Sequence, residues 1–316
     1  SNSSNNNSLA GDEMGAALMQ LRFDAYCANQ AGSRCLSTGL LPLAQGPVVE
    51  CFEGDVTNAL IGQGAHSYWA QTDDYLLLAL WGNQADGTSL AALTQQLYSE
   101  LLTQSQALGY GHLVRVWNYF DDINGDEAGL ERYRQFCLGR YEAFAAAGID
   151  ERQFPSACAL GHHGGDLLIY ALASKLAPIH FENPRQAKAY EYPPEYGPRS
   201  PSFARASVLA LANQPPKLFV SGTASVVGHV TQHPFQLEEQ ITVTLENLSL
   251  LLAHVAQQSA NAQGAVPRLE PEVLKVYVRH PADLATIQAR VEQAYPQVPV
   301  VYVEAEICRA DLLLEI

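Results

Sequence analysis

Lys217-Leu218-Phe219-Val220-Ser221-Gly222-Thr223-Ala224-Ser225 reads as a short apolar strand running into small residues that suit a tight backbone path. The next hundred residues set the architecture. Phe235–Gln258 carries Ile241, Leu245, Leu248, Leu251, Leu252 and Val255 at helical spacing, which predicts a long amphipathic helix. The polar stretch Ser259–Gly264 ends it, and Val273–Val278 alternates like a strand. Pro281 opens a second helix to about Ala294, with Leu284, Ile287, Val291 and Ala294 on one face. Val298–Val303 and Leu312–Ile316 then close as strands.

The first half has the same order. Tyr75–Trp81 is a strand, Gly82–Gly87 a turn, and Ser89–Leu108 a helix with Leu90, Leu93, Leu97, Leu101 and Leu102 facing one way. Leu113–Tyr119 is a strand, Gly129–Ala147 a helix, and Asp166–Leu172 a strand after Gly161–Gly165. The repeated order predicts an α+β chain of two diverged repeats, each a mixed sheet packed with two helices, with joins near residues 60 and 205. The expected divisions are a disordered Ser/Asn-rich tail over 1–14, an N-terminal domain over 15–178 and a C-terminal domain over 207–316. Residues 14–60 read equally as a third packing layer or an extension. Between the domains, 179–206 holds Pro184, Pro193, Pro194, Pro198 and Pro201 among Tyr190, Tyr192, Tyr196, Arg185, Arg199 and Arg205. Flexible linkers are Gly/Ser-rich and poor in aromatics, so this stretch predicts an ordered loop lining a site.

Composition narrows the function. With 47% hydrophobic and 16% charged residues, the 316-residue chain reads as globular, and no apolar run approaches a bilayer span. A net charge of -15 argues against a nucleic-acid backbone as partner. Any anionic metabolite must instead meet cations gathered locally from only 18 Lys and Arg, so the groups Arg132, Arg134, Arg140 and Arg185, Arg199, Arg205 stand out. The 6 scattered cysteines form no C-x-x-C pair, which suggests a reducing, cytoplasmic setting. Ser1–Leu9 lacks the basic start and apolar core of a signal peptide.

Several local patterns invite chemistry. His162-His163 has no third ligand at metal spacing, and no metal site is expected. Gly161-His162-His163-Gly164-Gly165 does not open a helix, unlike a dinucleotide loop. Asp121, Asp122, Asn124 and Asp126 lack the Gly and the closing Glu of a calcium loop and read as a solvated acidic turn. Glu315 is a lone carboxylate in the strand Leu312-Leu313-Leu314-Glu315-Ile316, either an exposed alternate residue or a buried acid with a raised pKa. It falls where the first repeat has Tyr170. Cys308, beside Arg309, has no histidine base nearby in sequence and reads by itself as structural.

The element order, with Lys217–Gly222, Leu274–Val278 and the terminal Leu-Leu-Glu-Ile, resembles the YjgF-like (chorismate-mutase-like) fold of the enamine/imine deaminases. That family's Pro-x-Arg motif is missing: the corresponding stretches read Val298-Pro299-Val300-Val301 and Phe154-Pro155-Ser156-Ala157. A longer set is similar to the chorismatases. It comprises Gly222-Thr223-Ala224-Ser225-Val226-Val227-Gly228-His229, Gly129-Leu130-Glu131-Arg132-Tyr133 with Gly139-Arg140, Tyr196-Gly197-Pro198-Arg199-Ser200-Pro201 with Phe203, Arg205 and Ala206, and Cys308–Ile316.

This resemblance implies a cofactor-free enzyme that cleaves chorismate to pyruvate and a hydroxylated benzoate or dihydrobenzoate. It implies Glu315 as the acid that protonates the enolpyruvyl methylene. Arg140, Arg199 and Arg205 would take the carboxylates, with Tyr133 and Tyr196 as hydroxyl partners and Thr223 and Ala224 against the substrate. In the family, a Cys at the position of Cys308 accompanies the benzoate-forming branch, whereas Ala at the position of Ala224 is frequent in the hydrolases that yield 3,4-dihydroxycyclohexa-1,5-dienoate. The mixture resembles the 3-/4-hydroxybenzoate synthases. Two repeats in one chain are compatible with a monomer or a small homo-oligomer.

Overall fold

In the computed structural model, residues 17–44, 46, 48–54, 57–84, 87–211, 214–261 and 269–316 are described. The expected tail 1–14, and parts of the stretches 82–87 and 259–264, lie outside them. The first described residues form a small sheet, with β1 (Ala17–Phe23) between parallel β2 (Cys35–Ser37) and antiparallel β4 (Val48–Glu53). Between them β3 (Leu41–Pro42) departs to another sheet. An antiparallel run comes next: β5 (Leu60–Gln63), β6 (Ser67–Gln71) and β7 (Tyr75–Gly82).

Tyr-Leu-Leu-Leu-Ala-Leu-Trp in β7 is apolar without alternation because both faces are covered. Leu77, Ala79 and Trp81 enter one core, and Leu76, Leu78 and Leu80 enter another. Helix α1 (Leu90–Ala107) is capped by Ser89, whose hydroxyl accepts from the Ala92 N–H at 3.2 Å. After β8 (His112–Asp121) comes the two-residue hairpin of β9 (Asp126–Glu127) and β10 (Leu130–Glu131), then α2 (Arg132–Ala146). The helix expected from Gly129 begins at Arg132, because Gly129 takes φ +85° in the hairpin turn. α1 and α2 pack so closely at Gly139 that a Cβ there would lie 2.1 Å from the Ala91 carbonyl oxygen.

β11 (Ser156–His162) and β12 (Leu167–Ser174) complete this half. β11 is not among the strands expected from the sequence. Ser-Ala-Cys-Ala-Leu-Gly-His has no β-branched or aromatic residue, and its strand state comes from pairing with β8 along seven registered positions.

In the second half β13 (Ile179–Phe181), β14 (Ala206–Leu209) and β15 (Lys217–Val220) form an antiparallel sheet. The hairpin of β16 (Val226–Val227) and β17 (Val230–Thr231) precedes α3 (Leu237–Asn261). That helix starts two residues later than the pattern suggested, since Phe235 sits at φ 60°. β18 (Leu274–Val278), α4 (Leu284–Ala294), β19 (Val300–Glu304), β20 (Glu306–Ile307) and β21 (Leu314–Glu315) complete the chain. The expected final strand shortens to two residues because the Leu312 N–H turns back to the Arg309 carbonyl and the Leu313 N–H goes to Gln240 Oε1.

β18 pairs parallel with β19 and antiparallel with β21, as β8 does with β11 and β12. Two strands cross between the halves. β3 adds to β19, and β20 adds to the edge of the seven-stranded sheet β20-β11-β8-β12-β7-β6-β5. Helices α1 and α2 cover one face of that sheet, and β1, β2 and parts of the C-terminal half cover the other. Among the described residues the fold is a mixed α+β arrangement with four α-helices.

Candidate active site

β20 covers only one end of β11, pairing Ile307 with Leu160 and Glu306 with Gly161. The rest of that edge would bury unpaired backbone groups, which is costly. The C-terminal half supplies the partners. Ser207 Oγ accepts from the Ser156 N–H at 3.0 Å, and Ser221 Oγ from the Ala157 N–H at 2.8 Å. The Gly222 N–H donates to the Ala157 carbonyl at 3.1 Å. The small residues 221–225 therefore serve a close approach between halves.

Glu315 lies against this seam. A Cβ on Gly222 would fall 1.8 Å from Glu315 Oε1 and 3.1 Å from Cys158 Cβ, so the carboxyl packs directly over the bare glycine, with Cys158 Cβ close by. Glu315 is 4% exposed, and its Oε1 has no hydrogen-bond partner. Burial pushes its pKa up to about 7, while the nearby charges of Arg115 and Arg205 pull it down. Of the two readings open at the sequence level, the buried acid holds. Near neutral pH such a carboxyl can carry a proton to deliver.

A cavity of about 470 Å³ opens in front of it. Tyr133 and Arg140 enter from α2, Cys158 from β11, and Ala224 from the loop after β15. The connection 179–206 contributes Tyr192, Tyr196, Phe203 and Arg205, and the turn before β21 contributes Cys308 and Arg309.

Three cations here differ from the rest. Away from the cavity Arg132 is held by Asp121 and Glu127, each at 2.7 Å, and Arg185 by Glu246 at 2.6 Å; on the cavity wall itself Arg134 is paired with Glu131 at 3.0 Å. Arg140 is 2% exposed with its Nε unpartnered and its guanidinium 5.0 Å from the Phe136 ring centre. Arg205 also keeps an unpartnered Nε, while its Nη2 donates to the Ala187 carbonyl at 2.9 Å and to Tyr192 Oη at 2.8 Å. Its neighbour Glu182 is itself pushed up to about 7 by burial and so neutralises it only in part. Arg309 lies 4.4 Å from the Tyr196 ring centre and 5.4 Å from that of Tyr192, with Nη1 donating to Thr231 Oγ1 at 3.1 Å. Among the described residues none of these three is in an ion pair. Three guanidinium groups without an ion-pair partner around one cavity suit a ligand with more than one carboxylate.

Seven of the residues named from sequence meet at this cavity: Glu315, Cys308, Tyr133, Arg140, Tyr196, Arg205 and Ala224. Arg199 and Thr223 do not reach its wall. The Arg199 guanidinium stacks 4.3 Å from the Tyr141 ring centre. Thr223 turns its hydroxyl to the Ser221 carbonyl and uses its backbone to pair with Ile316, which fixes the terminal strand. Arg309, Tyr192, Cys158 and, behind Glu315, Arg115 were missed. Arg115 was legible as a charge in the apolar run Leu113-Val-Arg-Val-Trp117, the same signal that singled out Glu315.

Burial drives the Cys308 thiol well above its usual range, and the charge of Glu315 adds to that, so Cys308 stays neutral. His162 is buried, stacked on Tyr26 and bonded to the Asp166 carbonyl, and His163 pairs with Glu304 at 3.5 Å. Asp121 in the acidic turn is tied to Arg132. Among the described residues no three His, Cys, Asp or Glu side chains converge as metal ligands, and no helix is long and apolar enough to cross a membrane.

Residues 50–173 match the family model described as chorismatase FkbO/Hyg5-like, N-terminal. The chain is 40% identical over 231 residues to a 3-hydroxybenzoate synthase of Streptomyces hygroscopicus, covering 71% of this chain and 67% of that one. It is 38% identical over 256 residues to a chorismatase of Streptomyces rapamycinicus, covering 78% and 75%. A crystal structure of a chorismatase superposes with a TM-score of 0.84 at 30% identity, covering 98% of this chain and 94% of the other.

Proposed function

Because the chain belongs to the chorismatase family, we propose that it takes chorismate into this cavity and releases pyruvate by protonating the enolpyruvyl group from Glu315. The observation that carries this is a buried carboxyl with a bare Oε1, its pKa pushed up to about 7, facing a cavity in which Arg140, Arg205 and Arg309 have no ion-pair partner among the described residues. The two carboxylates of chorismate match the free cations of Arg140, Arg205 and Arg309, with the hydroxyls of Tyr133, Tyr192 and Tyr196 beside them. Arg199 and Thr223 act at one remove, Arg199 on Tyr141 and Thr223 by holding the end of β21.

The proton moves from Glu315 to the methylene carbon, and positive charge develops at the carbon bearing the ether oxygen. The carboxylate left behind faces Arg115 and Arg205, which favour that form. The ring 4-hydroxyl oxygen then attacks the neighbouring ring carbon as that carbon's bond to the ether oxygen breaks, and pyruvate leaves with the bonding pair. The resulting arene oxide opens and loses a ring proton to give a hydroxybenzoate. That route consumes no water, since the hydroxyl gives up the proton that Glu315 spent. A neutral Cys308 on the cavity wall supports the benzoate-forming branch. The small Ala224 on the same wall matches the residue frequent in the hydrolases, which favours a share of the dihydrodiol acid. The enamine/imine deaminase reading gives way to the family match.

The test is to incubate the protein with chorismate, measure pyruvate and identify the ring product, using Glu315→Gln as the control. Pyruvate release should fall by about 10²- to 10⁴-fold in the variant. An undiminished rate would remove Glu315 from the acid role.

We also read 15–178 and 207–316 as diverged copies of one YjgF-like unit, joined by the ordered stretch 179–206. The like pairing of β8 with β11 and β12, and of β18 with β19 and β21, supports this.

A further inference from the structure

Cys308 and Arg309 reach the cavity from a turn whose backbone is gripped by a residue outside the cavity wall. Arg279 directly follows β18, and its N–H donates to the Leu313 carbonyl at 3.0 Å. Its guanidinium holds the turn itself. Nε donates to the Leu312 carbonyl at 2.6 Å, and Nη2 reaches the Ile307 carbonyl at 2.9 Å and the Arg309 carbonyl at 2.8 Å. Three carbonyls of one turn therefore converge on a single cation, which among the described residues has no ion-pair partner. Their dipoles point toward one place and repel one another, so the arrangement depends on the positive charge between them.

A further contact comes from the N-terminal half. Arg279 Nη2 also reaches Asn124 Oδ1 at 3.1 Å, and Asn124 Nδ2 donates to the Ile307 carbonyl at 3.1 Å. These neighbours fix the amide, since a guanidinium only donates and a carbonyl only accepts. Asn124 belongs to the acidic turn 121–126, whose sequence suggested nothing beyond solvated carboxylates. The same turn starts α2. The Arg132 N–H donates to the Gly125 carbonyl at 2.8 Å and the Tyr133 N–H to the Ile123 carbonyl at 2.9 Å, which satisfies two N–H groups that a helix start leaves open. One turn thus sets the helix that brings Tyr133 and Arg140 to the cavity and, through Asn124, the segment that brings Cys308 and Arg309. Neither Asn124 nor Arg279 lines the cavity.

We propose that Asn124 and Arg279 are positioning residues: they clamp the turn bearing Cys308 and Arg309 to the start of α2, and so fix where the thiol and the Arg309 guanidinium stand against bound substrate. For its catalytic meaning the proposal rests on the roles given above to Cys308 and Arg309. The clamp itself does not depend on them. Asn124→Ala removes the link between the halves and leaves Arg279 its three carbonyls. Arg279→Ala removes the whole cation, and ethylguanidinium has the shape of the missing group.

Two measurements are made on each variant. Amide hydrogen exchange over 305–313, followed by mass spectrometry, should quicken by about tenfold or more, since bonds from a charged donor are among the stronger ones. With chorismate, KM and the ratio of ring products should each move by about threefold or more, the scale of one weakened contact, while kcat for pyruvate moves less. In Arg279→Ala, ethylguanidinium should bring both measurements back toward the parent, and an equal concentration of ethylammonium should not. Parental exchange over 305–313 in Asn124→Ala overturns the clamp, as does a folded Arg279→Ala protein that ethylguanidinium leaves unchanged. Faster exchange with KM and product ratio both parental overturns the positioning role. Should Arg279→Ala not fold, Asn124→Ala decides alone. If Cys308→Ala keeps the parental product ratio, the reading of Cys308 fails while the exchange rates still decide the clamp.

Discussion

Gly222→Ala places one methyl group between Glu315 and Cys158. Its carbon would stand 1.8 Å from Oε1 and 2.5 Å from Cδ, with Cys158 Cβ at 3.1 Å on the other side. Contact between non-bonded heavy atoms settles at about 3.5–4.0 Å, so the carboxyl must retreat by well over about 1 Å. The backbone at Gly222 is not in the left-handed region, so alanine is allowed there and the strain is confined to packing. Overpacking of this kind costs about 1–3 kcal/mol. A misplacement of about 1 Å in a catalytic group costs about 10²-fold. The expected result is a kcat for pyruvate release, followed by coupled NADH oxidation, down by about 100-fold or more. KM should change little, because Arg140, Arg205 and Arg309 stay where they are, and the melting temperature should fall by only a few degrees. A kcat within about threefold of the parent in a protein of parental stability would refute the packing of the acid on Gly222.

The same cavity wall yields other outcomes. A carboxyl whose pKa is about 7 when folded makes the folded state the tighter proton holder, so stability is lost as pH rises from the unfolded carboxyl range, about 4.3, through 7. Glu315→Gln should therefore melt higher than the parent at pH 8, by an amount of the order of 3 kcal/mol, and match it near pH 4; equal melting at pH 8 would contradict the raised pKa. Arg140→Met should raise KM for chorismate by about tenfold or more without lowering the melting temperature, since the guanidinium is buried with no ion-pair partner to leave behind; a clear loss of stability would mean that Arg140 is structural. Cys308→Ala should shift the ratio of ring products more than total pyruvate, measured by chromatography of the reaction mixture; an unchanged ratio would return Cys308 to a packing role.

Much of this was legible in the chain. Runs such as Tyr75–Trp81 and the leucine spacing of Ser89–Leu108 gave strand and helix to within a few residues, because burial on both faces or on one stripe imposes those patterns. The strand Ser156–His162 was not legible, since its residues are small and its state is set by neighbours far away in sequence. The acid could be picked out as a charge among leucines, yet its burial could not, because alternation along a strand does not say which face is covered. Arg199 and Arg205 look alike on paper, six residues apart among prolines. The turns that carry one to Tyr141 and the other to the cavity are set by backbone bonds such as Arg205 N–H to the Phe181 carbonyl.

The crossing of β3 and β20 between the halves has a further meaning. Each half lends a strand to the other's sheet, so the two are laced rather than hinged. Expressed alone, either would expose a raw edge and invite association with its own kind. Lacing also holds the acid on β21 and the arginine on α2 at a fixed span, without the swing of a jaw. Substrate must then enter past side chains at the rim, such as Phe235 and Arg309, into a chamber already shaped. Product choice in such a chamber is a property of its walls, and would change by exchanging wall residues rather than by altering any motion.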